Sequence, residues 1–298
     1  MKGPNFFIVG AQKCGTTSMY HYLKQHPEIF MSEVKEPQFF GTDLLAPYFI
    51  RDQGAYHALF SGARDEKALG EASPLYIYSK RAATEIKQCC PAAKIIIMLR
   101  NPVDMIYSLH AQNIYSGRED IKDFETALAA EDERKRGLRR PTQASPVECL
   151  FYREQAKYTE QVQRYLDVFG RENVRIIFFD DLTSETARVY SETCEFLGVN
   201  PDFAPDFRIV NSHKSVRSMS VLRFILYPPT FASRLVRAVV PPSLRLDLAW
   251  RLRRLNTKHD PRPPMEARLR RDLQAEFLPE VERLSELLGR DLTGWCRS

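Results

Sequence analysis

The stretch that decides the fold is NFFIVGAQKCGTTSMYHYL, residues 5–23. Its first part, residues 5–10, is an apolar run that ends in glycine, which is typical of a buried parallel strand. Residues 16–25 follow with apolar side chains at helical spacing, and we expect this helix to end before Pro27. The residues between them therefore form a short loop that leads from a strand into the N-terminus of a helix.

The loop GAQKCGTTS, residues 10–18, is typical of an anion-binding turn. A turn bounded by Gly10 and Gly15 points several backbone N–H groups at one place, and the helix dipole adds partial positive charge there. The nucleotide-triphosphatase pattern GxxxxGK[ST] matches both glycines, but its lysine position holds Thr16, and the lysine lies inside the loop as Lys13. The pattern therefore favours a phosphate-type anion without an obligatory metal over a kinase site.

The alternation of strands and helices continues along the chain. We predict further strands at residues 94–99 and 174–180, and further helices at residues 103–117, 148–169, 183–197 and 265–288. Such alternation is typical of an α/β protein of the P-loop type, with three layers and a central parallel sheet flanked by helices. We expect one domain over residues 1–298, with a mobile charged loop at about residues 118–146 and an arginine- and proline-rich helical excursion at about residues 220–264.

The composition is that of a soluble globular protein. Of the 298 residues, 44% are hydrophobic and 27% are charged, and the formal net charge of +5 suits an anionic ligand without identifying one. The six cysteines show neither CxxC nor zinc-site spacing, so we expect no disulfide scaffold and no metal site. The first residues lack the pattern of a secretion signal, and no apolar stretch reaches the roughly 18 residues of a membrane span. We therefore expect a cytoplasmic protein.

Six segments of the chain resemble one enzyme family, and five of them are given first. The loop at residues 10–18 resembles the phosphosulfate-binding loop of sulfotransferases that use 3′-phosphoadenosine-5′-phosphosulfate (PAPS), and KIIIMLRNPVDMIYS, residues 94–108, resembles that family's 3′-phosphate-binding signature. The resemblance extends to HPEIFMSEVKEPQFF at residues 26–40, to GEASPLYIYS at residues 70–79 and to residues 277–295. The KEPQFF segment indicates the carbohydrate (heparan sulfate type) branch and its soluble bacterial relatives.

The resemblance implies a binding site for the donor. The expected contacts of the phosphosulfate are the loop residues Lys13, Cys14, Gly15, Thr16, Thr17 and Ser18. Arg100, at the end of a strand, and Ser108, in the second turn of the next helix, match the pair that holds the 3′-phosphate in the family, and a guanidinium with a hydroxyl suits that anion. NSHKSVRS, residues 211–218, resembles the late donor-binding loop, in which Lys214 and Arg217 are the expected contacts. A basic surface loop is the alternative for this last segment.

The resemblance also implies the reaction, which is in-line transfer of a sulfuryl group from PAPS to a hydroxyl or amine, with 3′,5′-ADP as the product and no metal. Lys13 is our choice to stabilise the leaving oxygens, and Glu36 matches the glutamate that acts as the base in the branch. Gln112 matches a polar position that orients the acceptor or the sulfuryl oxygens. His26 and His110 are rival bases by chemistry alone, and we rank both below Glu36.

One departure from the family concerns the acceptor. Glycosaminoglycan sulfotransferases usually carry a lysine after the glutamate that Glu71 matches, and this chain has Ala72 there. A glycan, a lipid and a small natural product therefore all stay open as acceptors. Residues 223–258 mix eight basic residues with apolar ones. An acceptor gate and contact with an anionic membrane surface are alternatives for this segment, but we favour a helical hairpin with a solvated arginine face.

Two other functions stay open from the sequence. A P-loop kinase would need lysine at the position of Thr16, and Asp180 or Asp181 as a ligand of Mg²⁺. A nucleotide-binding protein without catalysis would keep the fold but would have no reason to keep the whole expected set of site residues. Nucleic acid is not an expected partner, because no known binding module matches and the net charge is modest.

Overall fold

The computed structural model describes residues 3–208, 215–218, 221, 224, 241, 251–252, 254–258 and 263–297. The chain divides into two compact units. Unit 1 comprises Met1–Leu109, Phe151–Asn211 and Glu266–Ser298, and unit 2 comprises His110–Leu150 and Ser212–Met265. The expected single domain over residues 1–298 stays a prediction. In the described part of the chain, no helix is both long enough and apolar enough to cross a membrane.

Unit 1 contains a parallel sheet of five strands in the order β2-β3-β1-β4-β5. The strands are β1 (Phe6–Gly10), β2 (Ile29–Met31), β3 (Ala68–Ala72), β4 (Lys94–Leu99) and β5 (Val174–Phe178). In the central strand, Ile8 lies opposite Ala72 on one side and Ile96 on the other. Every residue of β1 and β3 is buried, as expected for strands of a sheet that is covered on both faces.

Helices of unit 1 flank this sheet. In chain order the described helices are α1 (Thr16–Leu23), α2 (Gln53–Ala58), α3 (Ala82–Cys89), α4 (Pro102–Ser116), α5 (Phe124–Ala129), α6 (Glu131–Lys135), α7 (Tyr152–Gln155), α8 (Tyr158–Phe169), α9 (Phe179–Ser184), α10 (Thr186–Leu197) and α11 (Ala267–Leu288). Helix α1 packs on β1 and β3, and α8 packs on β4 and β5 and also contacts α3 and α11. The arrangement confirms the predicted α/β fold of the P-loop type.

Two of the predicted helices are wrong in detail. The helix predicted at residues 148–169 is a 3₁₀ turn at Val147–Leu150 followed by α7 and α8, because Phe151 and Lys157 have non-helical ψ angles of 71° and 76°. The helix predicted at residues 183–197 is interrupted at Glu185, which has a φ of −135°. Apolar spacing continues across these breaks, so periodicity alone does not reveal them.

Unit 2 includes the charged segment predicted as a mobile loop at residues 118–146. The segment contains α5 and α6, and the Arg134 guanidinium donates to both carboxylate oxygens of Glu119 at 2.8 and 2.7 Å, with both side chains fully buried. Its mobility stays a prediction. The unit also has an antiparallel pair, β6 (Ser215–Val216) with β7 (Thr257–Lys258). Most of the predicted excursion at residues 220–264 lies outside the described residues.

Candidate functional site

The loop between β1 and α1 needs glycine at both ends. A Cβ on Gly10 would lie 2.3 Å from the Ile77 Cγ2 atom. Gly15 has a φ of +89°, and a Cβ there would lie 2.9 Å from the Leu182 Cδ2 atom. The Ala11 N–H donates to the carbonyl oxygen of Met98 on β4 at 2.6 Å. Tight packing and this bond hold the loop at the carboxyl end of the sheet.

The same loop presents backbone N–H groups to a ligand. The first N–H groups of a helix have no partner within the helix, and Gly15, the N-cap of α1, has no side chain to cap them. Thr16, Thr17 and Ser18 carry three hydroxyl groups in the first turn of α1. The Thr16 side chain is buried, and those of Thr17 and Ser18 are half-buried. The start of α1 therefore has the donors that an anionic group requires.

The Cys14 side chain packs inside the protein and does not present a reactive thiol to the loop. Its side chain is fully buried, with Sγ 3.9 Å from the Tyr158 hydroxyl and 3.3 Å from the Gln12 carbonyl oxygen. Burial raises the pKa of the Cys14 thiol to about 12. The side chain is thus a neutral packing group, and only the backbone of Cys14 is available for the expected contact with the donor.

Arg100 lies beside the loop. It follows β4, the strand next to β1, and its Nη1 donates to the Lys13 carbonyl oxygen at 3.4 Å. Its guanidinium stacks on the Phe179 ring, 4.4 Å from the ring centroid. Ser108 is half-buried in the second turn of α4, the helix that follows Arg100. The structure therefore places Arg100 against the backbone of the loop after β1, and its role in holding a 3′-phosphate stays a prediction.

Glu36 lies at the same edge of the sheet. Its N–H donates to the carbonyl oxygen of Ala72, the last residue of β3, at 3.0 Å. Because β3 pairs in parallel with β1, this edge is also where β1 leads into the loop. The Glu36 side chain is 49% exposed and forms an ion pair with Lys35. A carboxylate accessible to a substrate is therefore present on the side of the sheet where the loop lies.

Backbone strain is concentrated in these segments. Among the described residues, the non-glycine residues with positive φ are Lys13 at 61°, Glu36 at 62°, Gln38 at 54° and Arg139 at 46°. Each such residue costs about 1–3 kcal/mol, and strain of this kind occurs often at functional sites. Two of the residues are the predicted catalytic Lys13 and Glu36, and their conformations are an independent signal that the sequence could not supply.

The two histidines that rivaled Glu36 have structural partners. The Nδ1 atom of His26 accepts the Glu28 N–H at 3.0 Å, so Nε2 carries the hydrogen and donates to the Asn200 carbonyl oxygen at 2.9 Å. His110 is buried, with Nε2 2.9 Å from the Ile121 carbonyl oxygen, and burial lowers the pKa of its imidazole. These contacts support the ranking of both below Glu36, although the identity of the base stays a prediction.

The remaining predicted site residues belong to unit 2. Gln112 is half-buried on α4, one turn beyond Ser108 and on the same helix face. Arg217 is exposed, and its N–H donates to the Asn256 carbonyl oxygen at 2.8 Å beside the β6–β7 pair. Lys214 lies outside the described residues. The roles of all three stay predictions.

The acids that a kinase would need have other partners. Asp180 accepts the Trp295 indole N–H at 2.9 Å. Asp181 accepts two hydrogen bonds from the Arg290 guanidinium, at 2.5 and 2.8 Å, and these bonds lower the pKa of its carboxyl. Both carboxylates thus fix the residues that follow α11. Within the described ranges, no group of three or more His, Cys, Asp or Glu side chains is arranged to hold a metal.

The sequence reasoning missed one polar cluster next to the site. Glu71 on β3 is fully buried, and its carboxylate receives hydrogen bonds from the hydroxyls of Tyr56, Ser73 and Tyr76. The sequence signal for this cluster was Glu71, an acidic residue within a buried strand. The strand itself was not predicted, because the sequence ALGEA has weak strand propensity.

Comparison with known proteins identifies similar chains. Residues 3–232 match the family model described as a sulfotransferase domain. The chain is similar to the membrane-associated sulfotransferase kil1 of Dictyostelium discoideum, at 23% identity over 273 residues, 66% of this chain and 56% of that protein. It is also similar to the human bifunctional heparan sulfate N-deacetylase/N-sulfotransferase 3, at 28% identity over 211 residues, 67% of this chain and 23% of that protein. The chain thus spans little more than half of the first relative and about a quarter of the second.

A solved structure is similar over the whole length. The crystal structure of a sulfotransferase from Alicyclobacillus acidocaldarius has 35% sequence identity and a TM-score of 0.75, with 100% of both chains covered. The match therefore shows a shared fold over the whole of both chains.

Proposed function

The chain belongs to the sulfotransferase domain family, and from this membership we propose that it transfers a sulfuryl group from PAPS to an acceptor hydroxyl or amine. The observation that carries the proposal is the loop after β1, which has Lys13 inside a glycine-bounded turn and Arg100 in contact with its backbone. A loop of this form can hold the phosphosulfate at the start of α1, while Arg100 and Ser108 hold the 3′-phosphate.

The residues at the carboxyl edge of the sheet support an in-line displacement. Glu36 accepts the proton of the acceptor hydroxyl, whose oxygen forms a bond to sulfur as the bond between sulfur and the leaving phosphate oxygen breaks. Lys13 stabilises the negative charge that develops on that oxygen as 3′,5′-ADP leaves with the electron pair. Gln112 orients the oxygens around the sulfur in this proposal, and Lys214 and Arg217 contribute further contacts to the donor.

The acceptor is proposed only by chemical class. One similar protein is named for action on heparan sulfate, which makes a glycan one candidate. Ala72 replaces the lysine that glycosaminoglycan enzymes usually carry, so a lipid or a small natural product is an equally suitable acceptor. We also propose that the protein is cytoplasmic, that it uses no metal and that it does not bind nucleic acid.

The test uses PAPS labelled with ³⁵S and a panel of acceptors: desulfated heparan sulfate, an alkyl glucoside, galactosylceramide and 4-nitrophenol. We expect label in at least one acceptor, with 3′,5′-ADP formed in equal amount, and the same rate in excess EDTA. Calorimetry should show binding of 3′,5′-ADP without Mg²⁺. Tight binding of Mg·ATP together with no affinity for 3′,5′-ADP would overturn the proposal in favour of a kinase.

A further inference from the structure

Glu71 gathers three hydroxyl groups inside the protein. Its side chain is fully buried on β3. Ser73 Oγ donates to Oε1 at 2.6 Å, the Tyr56 hydroxyl donates to Oε2, and the Tyr76 hydroxyl is a third hydrogen-bond partner. Burial raises the pKa of the Glu71 carboxyl, and these three hydrogen bonds oppose that effect. A buried carboxyl with this many donors is held in one orientation.

Two of these hydroxyls also hold the segment that carries Glu36. Ser73 Oγ accepts the Gln38 N–H at 3.2 Å, and the Tyr76 hydroxyl accepts the Phe40 N–H at 3.1 Å. The Glu36 N–H is bonded to the carbonyl at the end of β3, so every second N–H from residue 36 to residue 40 is bonded to residues 72–76.

The Glu71 carboxylate determines whether these hydroxyls donate or accept hydrogen bonds toward the segment at residues 36–40. A hydroxyl has one hydrogen to donate, and when that hydrogen points at Glu71, the lone pairs of the oxygen are left for the N–H groups of Gln38 and Phe40. The segment needs such bonds, because Glu36 and Gln38 both have positive φ. Strained conformations of this kind persist only where the surroundings enforce them.

We propose that Glu71 is a positioning residue, which holds the strained segment at residues 36–40 through Ser73 and Tyr76 and so places the Glu36 carboxylate for proton transfer. The inference rests on the proposed function, in which Glu36 is the base. Glu71 itself is fully buried and therefore acts through other groups rather than on the acceptor.

The anchoring is tested by hydrogen–deuterium exchange, which does not require activity. Glu71→Gln turns one acceptor oxygen into a donor, and Ser73→Ala removes the partner of the Gln38 N–H. We expect peptides over residues 36–40 to exchange about tenfold faster in both variants, with no change in peptides over residues 10–18. Tyr56→Phe is the matched control, because it removes a hydroxyl from Glu71 but keeps the ring that stacks on Phe39 at 4.1 Å.

The control should exchange within about twofold of the wild type over residues 36–40. Equal acceleration in Tyr56→Phe and Ser73→Ala would show a general loss of stability and would overturn the inference, as would unchanged exchange in Ser73→Ala. If Glu71→Gln does not fold, the comparison of Ser73→Ala with Tyr56→Phe decides the question alone.

Catalysis is tested by a double-mutant cycle with PAPS and the best acceptor of the panel. We expect Glu71→Gln to lower kcat about tenfold with the Kd of 3′,5′-ADP unchanged, because a displaced base slows the chemical step. Glu36→Gln combined with Glu71→Gln should be no slower than Glu36→Gln alone, whereas additive losses would overturn the inference. If the wild type labels no acceptor, the proposed function and the catalytic part of the inference fail, and exchange still decides the anchoring.

Discussion

Lys13 and Glu36 share an uncommon backbone conformation, with φ of 61° and 62°. Lys13 lies in the loop after β1, and the Glu36 N–H is bonded to the last residue of β3. Since β1 and β3 are parallel neighbours, the cation and the carboxylate are both presented at one edge of the sheet. At the scale of single residues, these two side chains supply opposite charges in the proposed sulfuryl transfer.

Substitution of these two residues should separate donor binding from proton transfer. Lys13→Ala should weaken binding of 3′,5′-ADP and lower kcat/KM by about 10² or more, because it removes charge from the leaving oxygens. Glu36→Gln should lower kcat by about 10²–10⁴ and leave the Kd of 3′,5′-ADP within twofold. Calorimetry and initial rates measure both effects.

Lys24→Ala is the control for these variants, because it removes an exposed positive charge that follows the last turn of α1. It should bind and turn over like the wild type. Normal turnover in both Lys13→Ala and Glu36→Gln would contradict the assignment of the two catalytic roles.

At the scale of elements, the turn from β1 into α1 depends on Gly15. Gly15→Ala should destabilise the protein by about 1–2 kcal/mol for positive φ and by a further 1–3 kcal/mol for overpacking against Leu182. Donor affinity should also fall. Gly137→Ala isolates the backbone cost, because Gly137 has a φ of +88° and no described heavy atom within 4 Å of its Cβ position. Equal losses in denaturant unfolding would show that packing at Gly15 has no effect.

The connection from α9 to the C-terminal residues gives a pH-dependent prediction. Arg290 lowers the pKa of Asp181, so the stability from this pair is present above the unfolded pKa of about 3.9 and is lost as the pH falls through the folded pKa. Because both side chains are partly exposed, Asp181→Asn should cost no more than about 1 kcal/mol at pH 7.

The difference between Asp181→Asn and the wild type should therefore shrink in thermal melts below about pH 4. Arg290→Gln should cost as much as Asp181→Asn, and the double variant should cost no more than either. Transfer at pH 7 should be unchanged in Asp181→Asn. Loss of a Mg²⁺-dependent activity in this variant would instead support the kinase alternative.

At the scale of the molecule, unit 2 contains a charge pair that is completely buried. Glu119 and Arg134 form two hydrogen bonds with no exposure of either side chain. Arg134→Ala would leave an uncompensated buried carboxylate, and such changes cost about 3–5 kcal/mol. Glu133→Ala, which removes the exposed pair with Arg139, should cost less than about 1 kcal/mol. Equal midpoints in urea for the two variants would contradict this difference.

The sequence by itself determined the glycine-bounded loop after β1, the strand at residues 94–99 and the family, because these depend on glycine spacing, an interior lysine and apolar runs that are local in the chain. The strand predicted at residues 174–180 is also present, but it ends at Phe178, where α9 follows. The sequence predicted Arg100 as a contact of the 3′-phosphate, and only the structure shows that Arg100 contacts the backbone of the loop. The strand β2 was missed because it has only three residues, and β3 was missed because its sequence ALGEA has weak strand propensity.

Only the tertiary structure decided which distant residues meet. Asp181 and Arg290 are 109 residues apart, and Tyr56 reaches Glu71 from another element of the chain. Spacing in the sequence does not report such contacts, because they depend on which strands pair and on which polar groups must find partners once they are buried. For the same reason, the anchoring of Glu36 by the cluster around Glu71 became visible only in the folded chain.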